Sequence, residues 1–402
     1  MSNRVYITGM GVVSSIGMNV EENLQSLKTS KTGLCFTQFL DSIHKHELPV
    51  CEIPLGDDAL AERLGLSVSD GYTRTSLLGL LAVKEALASA GISDMKSATT
   101  ALISSTTVGG MRNTEMIYHE LLSPNLREEY INFLNSHDLG ESTERIADYF
   151  GVKDFVTTIS TACSSSANAI ILGARLIKHG IVDRAICGGT DTLSKFTING
   201  FNSLMILDKE HSRPFDDSRV GLNLGEGAGY IILESEALVK KENKKIFAEL
   251  TGYSNTNDAF HQTASSPEGN GAFMAMSEAL EMSGLSKSDI SYINVHGTAT
   301  PNNDVSEGRA MQRLFAEELP KFSSTKPFTG HTLAACGGIE AVYAILAIQH
   351  SLIFPSLNFK NKMNEVDIAP QTTLLENYEV NHVLSNSFGF GGNNTSIIIS
   401  KA

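Results

Sequence analysis

The stretch "TACSSSANA" sets Cys163 among small residues, with three serines after it. It follows the run "FVTTIST" and precedes "IILGARLIKHG", which reads as a strand end followed by a helix start. Serines suit a first helical turn, where hydroxyls satisfy unpaired backbone N–H groups. A thiol there feels the positive end of the helix dipole, which favours the thiolate, the nucleophilic form. The spacing is equally compatible with a structural cysteine. Two further stretches carry groups of related chemistry: "NVHGTATPNND" with His296, and "STKPFTGH" with Lys326 and His331. A lone histidine is more often a satisfied structural residue. These two both follow an apolar strand and adjoin glycine, and both fall where an internal repeat places Cys163.

That repeat is the main organisational feature. "KEALASAGI" (84–92) matches "SEALEMSGL" (277–285), each ending an amphipathic helix on a glycine. "TALISSTTVGG" then matches "ISYINVHGTAT", and "TTISTAC" plus helix matches "SSTKPFTGH" plus helix. "RAICGGTDT" matches "VLSNSFGFGG", "GYIILES" matches "TSIIIS", and the opening "RVYITGMG" matches "IFAELTGYS". Alternating strands and helices imply an α/β fold with parallel or mixed sheets covered by helices. Two halves, 1–245 and 246–402, are expected to pack as a pseudo-symmetric pair, with sites at matching strand ends converging on their junction. The extra length of the first half, about 105–155, reads as helices and loops ("MRNTEMIYHELLS", "LREEYINFLNS"), a capping or dimerisation insertion.

Composition sets the bounds. The 402 residues are 42% hydrophobic and 19% charged, as in ordinary globular chains. No apolar run approaches the ~18–20 residues of a membrane helix, and no signal peptide is expected. The five cysteines (Cys35, Cys51, Cys163, Cys187, Cys336) form no CxxC pair and no zinc-like spacing. A disulfide framework is therefore not expected, and reduced thiols point to the cytoplasm. A net charge of −14 argues against a nucleic-acid partner, and "KKENKK" reads as a solvated linker. "GMGVVSSIG" lacks the third glycine of a dinucleotide loop and reads as a strand-to-loop turn.

"TACSSSANA", "NVHGTATPNND", "STKPFTGHTLAACGGIE" and "NSFGFGGNN", in that order, resemble the signature segments of β-ketoacyl-acyl carrier protein synthases, the condensing enzymes of fatty acid and polyketide synthesis. The resemblance runs from "VYITGMGVVSSIG" to the final strand and includes "RPFDDSRVGLNLGEGAGYIILE". It implies the thiolase fold, with two βαβαβαββ-type halves in a layered αβαβα sandwich, in a homodimer. It implies no cofactor and no metal. Cys163 would take the acyl chain from an acyl carrier protein thioester. His296 and His331 would stabilise the enolate left by decarboxylation of malonyl-carrier protein. The backbone N–H groups of Cys163 and Phe390 would form the oxyanion hole. Lys326 would pair with Glu340, with Glu307 a further partner. Val108, Phe201, Phe388 and Phe390 would line or gate the acyl pocket. Thr298 and Thr300 read equally as pantetheine contacts or as turn hydroxyls, and Asn302 to Asp304 as a polar turn. Arg213 is the first candidate for docking the acidic carrier protein, with Arg74 and Arg219 behind it.

The thiolase branch carries a second cysteine near its C-terminus, where this chain has "GFGGNN". Cys336 stands where the family has a small alanine and reads as a packing residue. "TISTACSSSANA" and "GGTDTLSKFTINGFNSL" resemble a divergent branch associated with specialised polyene or aryl-lipid pathways. Two alternatives to condensation are a non-elongating partner subunit of a heterodimer and a simple acyltransferase.

Overall fold

The computed structural model describes residues 4–122, 131 and 133–402. Among the described residues ten strands form one mixed sheet: β1 Val5–Ser14, β2 Thr100–Ser105, β3 Phe155–Ile159, β4 Arg184–Asp191, β5 Gly227–Ser235, β6 Ala248–Asn257, β7 Tyr292–Asn294, β8 Lys321–Ser323, β9 His382–Gly389 and β10 Asn393–Ser400. The helices that position the site are α1 Arg74–Ser89, α2 Met111–Leu121, α3 Leu139–Phe150, α4 Ser165–Lys178, α5 Asn270–Ser283, α6 Pro301–Phe315 and α7 Cys336–His350.

The strand order is β3-β2-β4-β5-β1-β6-β10-β9-β7-β8, so each half runs in the same order outward from the β1–β6 contact. That contact is short and antiparallel, pairing Tyr6 with Glu249 and Ile7 with Ala248. Within each half the last strand is antiparallel to its neighbours, β5 to β1 and β4, and β10 to β6 and β9. The remaining pairs are parallel, which requires helical crossovers.

Helices α4 and α7 pack on each other in the middle, with α7 touching β5 of the first half and β9 of the second. Their apolar residues form one central core with Ile7, Ile231, Ile397 and Val383. Outside lie α1 and α3 over the first half and α5 and α6 over the second, each pair with its own core cluster. This is the expected layered sandwich.

Two expectations need correction. α3 packs on α1 and β3 as α6 packs on α5 before β8, so it belongs to the repeat. The additional material therefore ends before Leu139, short of the 105–155 expected, and residues 123–130 and 132 within it lie outside the described residues. Leu333–His350 is also long and apolar enough to cross a membrane by length and composition, contrary to the sequence reading. It is 89% buried because it is the central helix, enclosed by both halves.

Close packing of α4 on β4 depends on Gly173, where a Cβ would lie 2.2 Å from Cys187 Sγ and 3.1 Å from the Ala185 Cβ. In an open helix Gly→Ala gains about 1 kcal/mol. Here Gly173→Ala is expected to destabilise by about 1–3 kcal/mol through overpacking. Adding Cys187→Ala removes the obstructing sulfur and should recover most of that loss. Thermal midpoints of the single and double variants check this; equal losses in both would place the strain elsewhere.

Candidate active site

Cys163 follows β3 and immediately precedes the first turn of α4, capped at Ser164. Ala162 holds φ 53°, a left-handed conformation that turns the chain sharply between strand and helix. Ser165 Oγ accepts from Thr161 N and donates to Ala162 O, which ties this turn to the helix. The serines thus act on the turn, and Ser164 makes no side-chain bond to the first N–H groups of the helix, contrary to the expectation from the sequence.

His331 Nε2 lies 2.9 Å from Cys163 Sγ. The His296 ring stands edge-on to the His331 ring, with centroids 5.4 Å apart. One donor atom from each of the three side chains lies within 4.8 Å of the others. All three side chains are buried. Lys326, also buried, donates through Nζ to Glu340 Oε1 at 2.6 Å.

Burial sets the protonation states. Desolvation pushes the Cys163 thiol up to about 11, although Lys326 and the N–H groups of Phe390 and Cys163 itself act the other way. The helix N-terminus therefore does not leave a resting thiolate, contrary to the sequence reading. The sulfur needs a base, and His331 is in hydrogen-bonding contact with it. Both histidines are held well below their usual range by burial first and the Lys326 charge second, so both are neutral near pH 7. Cys187 and Cys51 are also buried, their thiols raised by desolvation without a basic partner.

The Cys163 sulfur and both histidines line a cavity of about 280 Å³. Phe201, Phe388, Phe390, Thr298 and Thr300 are on its wall. Phe201 and Phe390 stack with centroids 5.6 Å apart and planes 17° from parallel. Gly389 allows the turn after β9 to close on the nucleophile, since a Cβ there would meet Thr161 O at 2.9 Å and Cys163 N at 3.2 Å. Thr298 and Thr300 join their hydroxyls at 2.9 Å.

Several expected placements differ. Val108 is not on the cavity wall; it lies in an apolar cluster with Leu193, Ile198, Leu222 and Leu333, against which Phe201 packs. Glu307 makes no hydrogen bond to Lys326, though its charge acts on the Lys326 ammonium as expected of a supporting partner. Its two oxygens accept from the His296 and Gly297 N–H groups at 2.8 Å each, and Asn386 Nδ2 donates to it as well. It fixes the loop that carries His296. Asn302 to Asp304 are the first turn of α6, not a free turn, and Asp304 accepts from Phe215 N and Ala299 N.

Arg74 is fully buried between Glu226 and Asp57, and Arg219 is buried against the carbonyls of Asp216 and Pro301, so neither can meet a partner. The Arg213 side chain is 21% exposed and pairs with Asp208 and Glu210. Cys336 donates to Cys163 O at 3.0 Å, so it supports the nucleophile's backbone as well as packing.

Sequence reasoning missed Asp191. Buried at the end of β4, it accepts from Thr107 N and Val108 N after β2 and from Ala334 N after His331. Its position at a strand end was the available signal.

Residues 2–238 match the profile of the β-ketoacyl synthase N-terminal domain and residues 247–360 that of the C-terminal domain. The chain belongs to the β-ketoacyl synthase family. The 3-oxoacyl-[acyl-carrier-protein] synthase 2 of Rhizobium meliloti (strain 1021) is 32% identical over 423 residues, covering 99% of each chain. The protein of the same name from Staphylococcus aureus (strain N315) is 29% identical over 414 residues, covering 100% of this chain and 99% of that one. Among solved structures, the ishigamide ketosynthase/chain length factor superposes with a TM-score of 0.90 at 27% identity, covering 100% of this chain and 99% of that one. The fold is the thiolase fold of this family.

Glu307 provides a test of how burial tunes the site. Desolvation raises its carboxyl from 4.5 to about 7. Between these values the native state keeps a proton that the unfolded chain has lost, so this stabilisation is full below pH 4.5 and falls as pH rises to about 7. The span corresponds to about 3 kcal/mol. The stability difference between wild type and Glu307→Gln should therefore shrink by that order between pH 4.5 and 7. A flat difference in pH-resolved denaturation would mean that Glu307 is ionised throughout.

Proposed function

We propose that this chain catalyses the decarboxylating Claisen condensation of an acyl group, held as a thioester on Cys163, with malonyl-acyl carrier protein. The products are 3-oxoacyl-acyl carrier protein, CO2 and the free carrier protein. The observation that carries this reading is the contact between His331 Nε2 and Cys163 Sγ at 2.9 Å, with a second neutral imidazole, His296, on the same cavity wall. Transfer of an acyl group needs one base; a second imidazole beside it suits an enolate.

Loading begins when His331 takes the thiol proton and the sulfur attacks the incoming thioester. The tetrahedral oxyanion would rest on the backbone N–H groups of Cys163 and Phe390, both of which favour negative charge on the sulfur side of this cavity. The carrier thiolate leaves and takes a proton from water, while His331 keeps the Cys163 proton on Nε2. The malonyl thioester then enters, and its carboxylate carbon departs as CO2 while the electron pair moves into an enolate. Nε2–H groups of His296 and His331 would hold the enolate oxygen. The enolate carbon attacks the acyl thioester, the oxyanion forms again at the same N–H groups, and Cys163 leaves and regains its proton from His331 Nε2. Because burial keeps His331 neutral at rest, its Nε2 starts with the lone pair that loading needs, and the proton it takes from Cys163 is the Nε2–H it then offers the enolate.

Lys326 and Glu340 would act as a positioning pair. Thr298 and Thr300 face the cavity where a pantetheine arm would run. Opening the Phe201–Phe390 stack would join the cavity to the apolar cluster holding Val108, giving room for an acyl chain, with Phe388 beside His296 at 5.9 Å. Arg213 remains the docking candidate, its charge offset by its two acidic neighbours. β3 is one of the two outer strands of the sheet, and Met116, Leu122, Ile131 and Leu134 are exposed in the nearby insertion, which supports a homodimer. Free cysteines support a cytoplasmic setting. The likeness to a ketosynthase/chain length factor raises the partner-subunit reading, but such a subunit has no use for the Cys163–His331 contact.

Two half-reactions separate the roles. His296→Ala and His331→Ala should lose malonyl decarboxylation by about 10²–10³-fold. Cys163→Gln, whose amide imitates an acylated cysteine, should still decarboxylate while failing to elongate. Intact-protein mass spectrometry should place the acyl adduct on Cys163 in wild type. Decarboxylation that persists in both histidine variants and fails in Cys163→Gln would turn the assignment to a plain acyltransferase.

A further inference from the structure

We propose that Cys163, His296 and His331 also form a zinc(II) site, and that zinc bound there reversibly shuts the enzyme off before acyl loading. The three residues are far apart in sequence and show no metal-binding spacing. The fold alone gathers one thiol and two imidazoles with their donor atoms within 4.8 Å of one another. Zinc bonds of about 2.0–2.3 Å at tetrahedral angles need donors about 3.3–3.8 Å apart, so modest side-chain rotation suffices. The mixed imidazole and thiolate set selects zinc over calcium or magnesium, which prefer oxygen.

Two features of the surroundings favour such a site. His296 Nδ1 and His331 Nδ1 are buried with no hydrogen-bond partner among the described residues, so neither ring is tied from that side, and His331 gives up only its Nε2 contact with the Cys163 sulfur, itself a ligand. The three groups also line the cavity, which leaves a fourth coordination position open to a water or an incoming thiol. One charge opposes it: the Lys326 ammonium. That charge is paired with Glu340 at 2.6 Å, and the Glu307 carboxyl lies behind His296 through the loop N–H groups.

Binding involves no redox change. The Cys163 thiol gives its proton to the buffer, an S–Zn bond forms, and two imidazole lone pairs complete three of four positions. The sulfur can then no longer attack a thioester, and neither ring can accept or donate a proton. Removing the metal restores the thiol and both imidazoles. The inference rests on the proposed condensing site for its functional consequence, though not for the binding itself.

The test uses the purified full chain, stripped with a chelator and titrated with zinc chloride against a chromophoric competitor. One zinc per chain is expected, with one proton released and Cys163 shielded from iodoacetamide in peptide mapping. Acyl loading should stop at one equivalent and return on adding chelator. Cobalt(II) in place of zinc should give a thiolate charge-transfer band. Cys163→Ser, His296→Ala and His331→Ala should each weaken binding at least about 100-fold, while Cys35→Ser, at a half-buried cysteine elsewhere, should not change it. Full alkylation of Cys163 at saturating zinc, or unweakened binding by Cys163→Ser, overturns the site. If the variants fail to fold, alkylation and the cobalt spectrum of wild type decide alone. Failure to bind zinc by a chain that condenses when metal-free sinks only this inference. Zinc binding by a metal-free chain that neither decarboxylates nor condenses sinks only the proposed function.

Discussion

Two helix N-termini can meet only where side chains are nearly absent, and the rest of this site depends on that meeting. α4 opens with serines and alanine after Cys163, and α7 opens with Cys336, Gly337 and Gly338. A Cβ on Gly337 would come within 3.0 Å of Ala167 N, and one on Gly338 within 2.3 Å of Gly229 O. Ser166 Oγ accepts from Gly338 N at 2.8 Å, which locks one helix start to the other. The positive ends of both helices thereby face the region of the nucleophile, where an oxyanion or enolate would carry its charge. The same closeness puts Glu340 within reach of Lys326 and the Cys336 thiol on the Cys163 carbonyl.

Burial of the three side chains follows from this packing and acts in two directions. It opposes a resting thiolate, so Cys163 is chemically quiet until a base acts on it. It also keeps the two imidazoles uncharged, which preserves the base. A wetter site would ionise the thiol more readily but would protonate the histidines in mildly acidic conditions. In the buried Lys326–Glu340 pair, burial disfavours the Lys326 ammonium, but the Glu340 carboxylate outweighs it and holds that charge beside the rings. Such pairs are weak sources of stability. Here the pair sets the local field.

The repeat, the layered α/β fold and the residues that gather around the cavity were legible because each has a local signature. A strand end, a glycine and a polar side chain recur at matching places in both halves. What was not legible depends on distance in space. Arg74 and Arg219 look like surface charges in sequence, yet each ends in a buried network whose acidic or carbonyl partners lie far along the chain. Val108 is apolar and near the site in sequence order, but whether it faces the cavity or the cluster beside it depends on how Phe201 packs. The raised Cys163 thiol likewise reflects total burial, which a helix-start pattern does not encode. Leu333–His350 misled in the other direction: a helix enclosed by the two halves of the sheet needs an apolar surface all round, as a membrane helix does.

The net charge of −14 was also less a statement about the surface than composition suggests. Many of the acids are internal and hold loops by accepting backbone N–H groups. Asp191 holds the turns after β2 and after His331, Glu307 holds the His296 turn, and Asp304 holds Ala299 and Phe215. Glu226 does the same for Ile53 and Leu193 while pairing with Arg74. Each anchors a loop at the end of a strand, where backbone groups leave the sheet and lose their ladder partners. A carboxylate supplies two acceptors at such a point, and its burial is tolerated because both are used. The loops that carry the reactive side chains are therefore held in place by the same carboxyl groups that make the interior acidic.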